Sequence, residues 1–571
     1  HRLVESRRVG GKVRQVTLLN LGRHFSLDKA HWPDLCQRLD QLLSGQQALM
    51  PESVPESVER CAQHCFARLV AQGGGQSCAA SSGSAASPPE FAEVDAESLE
   101  LTQPRSIGVE HVALAAMREL GFEPLLASLG INAVMRTAIV ASIIARMAMP
   151  GSELASHRWL VGTSGLGDSL DVDLAGLPLS RLYRASDLLM KHHDEIETQL
   201  FARIETLFAL ETSITLYDLT NTYFEGSQAG NPKAARGHSK EKRSDCPLVT
   251  LGVVCDASGF IRCSRVFAGN AVECRTLEGM LTDLGAPAGA LVVMDRGIAT
   301  AANLAWLKEH GYRYLVVSRE RQRRFDAAAA IALPSAGEQT IQVVRELAED
   351  GQEVRLQCYS PARAQKESAI MAHFCARFEA GLSKLAAGLT SPRGQKRADR
   401  VQERIGRLKA ASRGAAQHYT VSLDTDASGQ TVTALRWEKT PVAGTMLTDP
   451  GVYCLRSNEL SWDTEQLWRT YMMLTDLEAV FRSLKGELGL RPIFHSKEER
   501  TDGHLFISVL AYQFVQAIRH RLKAQGIHES WAALREILTV QRRVTASFTQ
   551  KDGRTLHVCQ RRCEIRRNWA G

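Results

Sequence analysis

Near residue 213 the periodicity of the sequence changes, and that change limits the possible folds more than any other feature. Upstream, from Gly108 to about Leu210, apolar residues recur at helical spacing in Leu-, Ala- and Met-rich runs, punctuated by Gly121, Gly130, Pro150 and Gly151. Ser152 is placed to cap the helix that carries Trp159. Downstream, Ile214 to Thr220 alternates as a strand does. Leu248 to Cys255 reads as a second strand, joined by an Asp256-Ala-Ser-Gly259 turn to a third, Phe260 to Phe267. Ala290 to Met294 is a short unbroken apolar run, the pattern of a strand buried on both faces. It leads into Asp295-Arg-Gly, a helix from about Thr300 to His310, a stop at Gly311 and a strand from Tyr312 to Val317. Three meandering strands followed by strand–helix–strand is the order of an RNase-H-like core.

A chain of 571 residues is too long for one core, and the sequence divides into eight stretches. Residues 1–25 read as a β-hairpin about Gly10-Gly11, residues 26–71 as helical, and residues 72–106 as a flexible linker on their Gly, Ala, Ser and Pro content. Residues 107–210 read as an N-terminal helical region. The core occupies 211–318 and resumes over 456–525 with a helix from about Thr464 to Lys485. Between them, 319–455 mixes a charged helical section with strand-like runs at Thr340–Val344, Gln352–Cys358 and Tyr419–Leu423. It reads as a largely β insertion that does not continue the core. Residues 526–571 read as a basic tail. The expected class is a multidomain α/β protein, an RNase-H-like mixed sheet flanked by helices.

Composition excludes some functions. The 13 cysteines are scattered, and neither C-x-x-x-C pair (Cys61 with Cys65, Cys559 with Cys563) has the two-plus-two grouping of a structural zinc site. The most apolar stretch, Ala133 to Met149, is interrupted by Arg136 and Arg146, so no membrane partner is expected. The chain does not open on a charged and apolar leader, which points to a cytoplasmic protein. The formal charge is only +6, but it is unevenly spread: between Arg393 and Arg413 there are eight Arg or Lys against two acids, and Gln560 to Arg567 is rich in arginine. Such clusters suit a polyanion, although a solvated helix face has the same composition.

Three acids stand out. Asp218 shares a strand face with Ile214 and Leu216, where an ionised carboxylate is costly unless paired or metal-bound. Asp295 ends a buried strand, where open sheets place their ligands. Glu478 lies on the helix that would pack beside both strands. Tyr471, Glu478 and Lys485 are spaced by seven, two helical turns with about 20° of drift, and so share one face. An aromatic, an acid and a cation there could stack on a base, hold a metal and grip a phosphate. Magnesium, with manganese as a substitute, takes carboxylate oxygens. Two such ions about 4 Å apart serve hydrolysis and transfer at phosphodiester bonds.

In this context the sequence resembles the DDE transposases of the insertion-sequence-four superfamily, in the branch with a long N-terminal region. Their signature helix, Y-x2-R-x3-E-x6-K, falls on Tyr471, Leu474, Glu478 and Lys485, with leucine in place of the arginine. Arg482 lies one turn beyond Glu478 and could partly replace it. Leu216-Tyr-Asp-Leu-Thr-Asn-Thr222, Gly269-Asn270, Met294-Asp-Arg-Gly297, Phe481-Arg-Ser-Leu-Lys485, Arg491-Pro492, His495 and His504 are also similar. The resemblance implies a catalytic and metal-binding trio of Asp218, Asp295 and Glu478. It implies nicking at the ends of a bacterial mobile element, probing of a flipped base by Tyr471, phosphate contact by Lys485, a hairpin intermediate, and attack of the freed 3′-hydroxyl on target DNA. It further implies a dimer on double-stranded DNA and a nucleoid-associated location. His238, Lys240, Lys242 and Arg243, in the loop between the first two strands, are expected to touch the DNA backbone. Two other readings remain open at this point: an inactive relic that only occupies DNA ends, and another RNase-H-like nuclease.

Overall fold

The computed structural model describes residues 2–9, 12–20, 27–44, 93–210, 214–226, 228, 230–237, 243, 245–287, 289–334, 340–553 and 555–558, with isolated positions between 55 and 65. The chain forms two compact units, residues 1–100 with 546–571 and residues 101–545. In the smaller unit Arg2–Val9 pairs antiparallel with Lys12–Asn20, from Arg2↔Asn20 to Val9↔Lys12, with one register shift between Leu3 and Val4. A helix spans Trp32–Ser44. The end of the stretch expected to be a linker is a strand instead, Val94–Ser106. Its composition hides this, because its side chains are almost all exposed and leave no apolar stripe.

The larger unit begins with helices. Asn132 accepts from the Met135 N–H and caps α1 (Ala133–Ala148). Ser152 accepts from the Ala155 N–H and caps α2 (Glu153–Gly162), which carries Trp159 as expected. A third helix, α3 (Leu179–Lys191), packs on both. α1 is buried almost all round from Ala138 to Met147, so it is a core helix. Among the described residues no single helix is long and apolar enough to cross a membrane.

The sheet then begins with β1 (Ile214–Tyr223), β2 (Leu248–Cys255) and β3 (Ile261–Ala268), antiparallel in sequence, followed by β4 (Leu291–Met294) and β5 (Arg313–Val317), parallel to β1. Their order, β3-β2-β1-β4-β5, is that of an RNase-H-like core. The sheet does not stop there. Strands β6 (Ile331–Pro334), β7 (Thr340–Leu347) and β8 (Val354–Tyr359) extend it through β9 (Val452–Ser457), which pairs with β5, to give nine strands. Part of the stretch expected to stand apart therefore continues the core. What stands apart is an arm: α4 (Pro361–Thr390), α5 (Ala398–Ala411) and the hairpin Tyr419–Thr425 with Val432–Lys439. They share a separate apolar core that includes Met371, Phe378, Leu382, Val401 and Ile405.

Both faces of the central sheet are covered. Tyr217, Leu219, Val292, Met294 and Val316 face Leu277, Leu281, Leu304 and Leu307. Ile214, Leu216, Leu291, Val293 and Leu315 face the opposite side, with α6 (Thr464–Arg482) and α7 (Glu498–Ala524). α7 reads the β2–β3 turn directly. Tyr512 Oη donates to the Gly259 carbonyl at 2.9 Å, Gln516 to Ser258 at 2.7 Å, and Gln513 exchanges two bonds with the Ile261 backbone. The stretch expected to be a basic tail contains a helix over Trp531–Thr539 and strands Arg542–Gln550 and Thr555–Val558. Trp531 is fully buried and donates to the Met147 carbonyl at 3.0 Å. The arginines between 560 and 567 lie outside the described residues.

Candidate active site

The register of two parallel strands sets the site. Tyr217 is level with Met294 across β1 and β4, so the next residues, Asp218 and Asp295, stand level where β4 ends. Strand alternation sends Tyr217 and Met294 to one face and the two carboxylates to the other, the face on which α6 packs against β1 and β4. Asp218 Oδ1 accepts from the Leu219 N–H at 2.7 Å and Asp295 Oδ1 from the Arg296 N–H at 2.6 Å. The turn after Asp295 is fixed from both sides. The Arg296 and Arg319 guanidiniums each donate to the other's carbonyl at 3.0 Å, and Asn303 Nδ2 donates to Ile298 and Cys274 at 2.7 and 2.8 Å.

α6 starts with a capping box between Asp463 and Gln466. It buries Leu467, Trp468, Leu477, Val480 and Phe481 and leaves Glu478 exposed. Over Ser483–Glu487 the helix widens into one π turn, a distortion common at functional sites, and this turn carries Lys485. Three ties hold residues 490–493 against the end of β1. Thr222 Oγ1 donates to the Leu490 carbonyl at 3.2 Å, the Ile493 N–H to Tyr223 at 3.0 Å, and the Glu225 N–H to Ile493 at 2.9 Å. Arg491 is thereby brought beside the acids.

Together these elements enclose a cavity of about 660 Å³. Asp218, Asp295, Glu478, Tyr471, Lys485 and Arg482 all line it, and so does Leu474. Thr220, Phe481 and Arg491 line it as well. Sequence reasoning missed Arg491 as a site residue, although Arg491-Pro492 directly after the helix was the available signal. Tyr471 has its phenol pushed up to about 12, by burial first and then by the negative charge of Asp295 and Glu478. Its ring lies 6.3 Å from that of Tyr453, over which Arg363 sits at 4.8 Å. Among the described residues, the cavity's acidic donors towards a cation are carboxylates, and its lining contains no cysteine or histidine. This is a hard-oxygen set that fits Mg²⁺ or Mn²⁺ and not zinc.

Arg243 is not in this cavity. It forms a two-point ion pair with Asp245, both contacts at 2.8 Å, lies over the Tyr223 ring at 4.4 Å, and lines a separate cavity of about 470 Å³ with Arg236 and Glu225. His238, Lys240 and Lys242 lie outside the described residues.

A second polar group, which the sequence did not announce, is buried behind the site. Glu153 accepts from His495 Nε2 at 2.6 Å and approaches His504 Nδ1 at 3.4 Å, and the ligand atoms of the three lie within 4.8 Å of one another. A guanidinium already supplies their positive charge. Arg146 lies against both nitrogens of His504, at 3.3 and 3.2 Å, reaches Glu153 at 3.5 Å and donates to the Gly489 carbonyl at 3.1 Å. Burial raises the Glu153 carboxyl, but the bonds from His495 and His504 and the Arg146 charge outweigh it and hold the group well below the carboxylate range. Burial and the same arginine push His504 down to about 4. The group is a clamp between α1, α2, the segment leading into α7 and α7 itself, with a cation of its own in place.

A family model described as a transposase DDE domain matches residues 210–514, more than half of the chain. No curated protein matches the chain.

Proposed function

The chain belongs to the DDE transposase family, and from that premise we propose that it cuts the ends of a bacterial mobile DNA element and joins them to target DNA. We assign it to the branch of the insertion-sequence-four superfamily with a long N-terminal region. The observation that carries this reading is the level pair Asp218 and Asp295, facing the helix of Glu478 across a cavity that also contains Tyr471, Lys485 and Arg491.

Asp218, Asp295 and Glu478 would hold the divalent cations, two Mg²⁺ with Mn²⁺ able to substitute. When bound, such ions activate the attacking oxygen and stabilise the leaving one. Lys485, Arg482 and Arg491 balance the charge of the phosphates beside the reacting one. Water adds to the end phosphorus as the P–O3′ bond breaks, freeing a 3′-hydroxyl. That hydroxyl then attacks phosphorus, either across the duplex to close a hairpin or in the target, with loss of its proton and release of the opposing oxygen. Tyr471, its phenol raised to about 12, stays neutral at physiological pH. Its ring is suited to stack on an unstacked base. The helices of residues 107–210 bind the terminal repeats, and two copies meet on the synapsed ends.

The test is cleavage of a labelled duplex taken from the DNA that borders the coding sequence, with Mg²⁺ or Mn²⁺. Wild-type chain should cut at the repeat, and Asp218→Asn, Asp295→Asn and Glu478→Gln should each bind but not cut. Binding without cutting by the wild type would instead indicate an end-occupying relic, with Leu474 in the place of the signature arginine as the first suspect.

A further inference from the structure

The arm formed by α4 and α5 has a direction and a length. α4 begins at the cavity wall, where Arg363 in its first turn sits over Tyr453, the neighbour of Tyr471. It then runs for 30 residues. α5 packs on its far half at Gly381, where a Cβ would stand 2.6 Å from Leu408 Cδ2. From Arg363 to Gly381 the helix rises about 27 Å at 1.5 Å per residue.

α5 turns Val401 and Ile405 inward and carries Arg400, Arg404 and Arg407 on one exposed stripe, at helical spacing of four and three. The side chains of Arg400 and Arg407 are 57% and 74% exposed. One carboxylate serves two of the three. Glu403 pairs with Arg400 at 3.2 Å and with Arg407, whereas Arg404 forms no ion pair among the described residues. Lys396 and Arg397 precede the stripe, and Lys409 and Arg413 come after it. Like charges one turn apart destabilise a helix by a few tenths of a kcal/mol per pair, and packing of the arm needs none of these guanidiniums. Their placement therefore calls for a counter-charge from outside the chain.

We infer that this stripe grips the phosphate backbone of duplex DNA running along α4, from about eight base pairs beyond the cavity wall, the span of about 27 Å at 3.4 Å per pair. The inference rests on the function proposed above. It adds a sequence-independent hold about three-quarters of a helical turn away from the site of cutting, on one side only.

The test uses the full-length chain and a labelled duplex from the DNA bordering the coding sequence, either long or trimmed to about five base pairs on one side of the cut, short of the arm's reach. Affinity is measured against salt concentration for the wild type, for Arg400→Gln/Arg404→Gln/Arg407→Gln, and for the matching triple lysine variant. On the long duplex the glutamine variant should lose two to three from the slope of log affinity against log salt, about 0.9 per phosphate contact. The lysine variant should keep the wild-type slope, and trimming the correct side should make all three proteins alike. Equal slopes on the long duplex, or a difference that survives trimming of either side, would overturn the assignment. If the wild type binds and cuts while the slopes coincide, only the arm's role falls. If it binds no duplex at all, the functional reading falls with it.

Discussion

Acid should destabilise this protein through one buried histidine. His504 is fully buried, with Arg146 from α1 against both ring nitrogens, Glu153 from α2 at 3.4 Å, and His495 beside it at a ring separation of 5.7 Å. Tyr183 of α3 closes the far side of His495. A neutral ring can accept from the guanidinium, whereas a protonated ring would set two cations in contact away from water. Its pKa falls from 6.5 to about 4 for that reason, by burial first and the Arg146 charge second. The folded value lies below the unfolded one, so protons bind the unfolded chain preferentially and stability drops as pH falls through this window. From pH 7 to pH 5 the loss is about 2 kcal/mol, approaching about 3 kcal/mol by pH 4 at 1.36 kcal/mol per unit. Glu153 stays ionised across the same interval because its pKa is depressed. Its own contribution is lost only below the ordinary carboxylate range, about pH 4.3. Urea unfolding of wild type and His504→Gln, monitored by tryptophan fluorescence at pH 7 and pH 5, separates this residue from the other histidines. The wild type should lose about 2 kcal/mol more than the variant over that interval. Equal losses would refute the reasoning. A wild type that gains stability in acid would refute it more sharply, since the ring would then be a cation paired with Glu153.

Three further outcomes are expected. Leu474→Arg sets a guanidinium on the cavity wall where the signature helix has one, and should tighten binding to the element's end about tenfold, the lower range for a charge-assisted hydrogen bond. An unchanged Kd in a filter-binding assay would show that Arg482 and Arg491 already fill the role. Trp531→Ala removes a fully buried indole and its bond to Met147 and should cost about 3–5 kcal/mol in chemical denaturation; a loss under about 1 kcal/mol would mean that the helix Trp531–Thr539 is not docked on α1. Tyr471→Ala should weaken the proposed flipped-base complex by about 1–3 kcal/mol while Tyr471→Phe leaves it near wild type. The two would be equally impaired, as seen in 2-aminopurine fluorescence at the end base, if the hydroxyl rather than the ring did the work.

The central strands were legible because each is decided locally. The alternation of Ile214 to Thr220 and the unbroken run Ala290 to Met294 state which faces are buried, and the chain order then leaves few ways to pair them. Burial parity also explains why Asp218 could be singled out: it is a carboxylate on the strand face that carries Ile214 and Leu216. The strands β6 to β8 were visible as strands but not as neighbours of the core. The pairing of β9 with β5, Leu455 opposite Val317, joins segments well over a hundred residues apart, and no local pattern encodes it. Val94–Ser106 was missed for the opposite reason, since a strand exposed on both faces has no period to read. The clamp was illegible because each member has an innocent reading alone. Arg146 looks like a polar break in an apolar helix, and Glu153 like an ordinary first-turn acid.

That clamp bears on the site through the backbone rather than through side chains that touch it. Arg146 donates to the Gly489 carbonyl, and Gly489 has φ +60 and abuts Pro150 so closely that a Cβ there would stand 2.8 Å from the proline. Gly489 lies between the π turn of Lys485 and the strand-like piece that holds Arg491 against β1. Lys485 and Arg491 are thus fixed from three directions: by α6, by the end of β1, and by a buried guanidinium on a helix more than 300 residues away in sequence. The helical region preceding the sheet is therefore part of the scaffold that positions the cavity's cations. A perturbation in α1 or α2 should reach the phosphate-facing side of the cavity before it reaches Asp218 and Asp295, which are set by the register of β1 and β4.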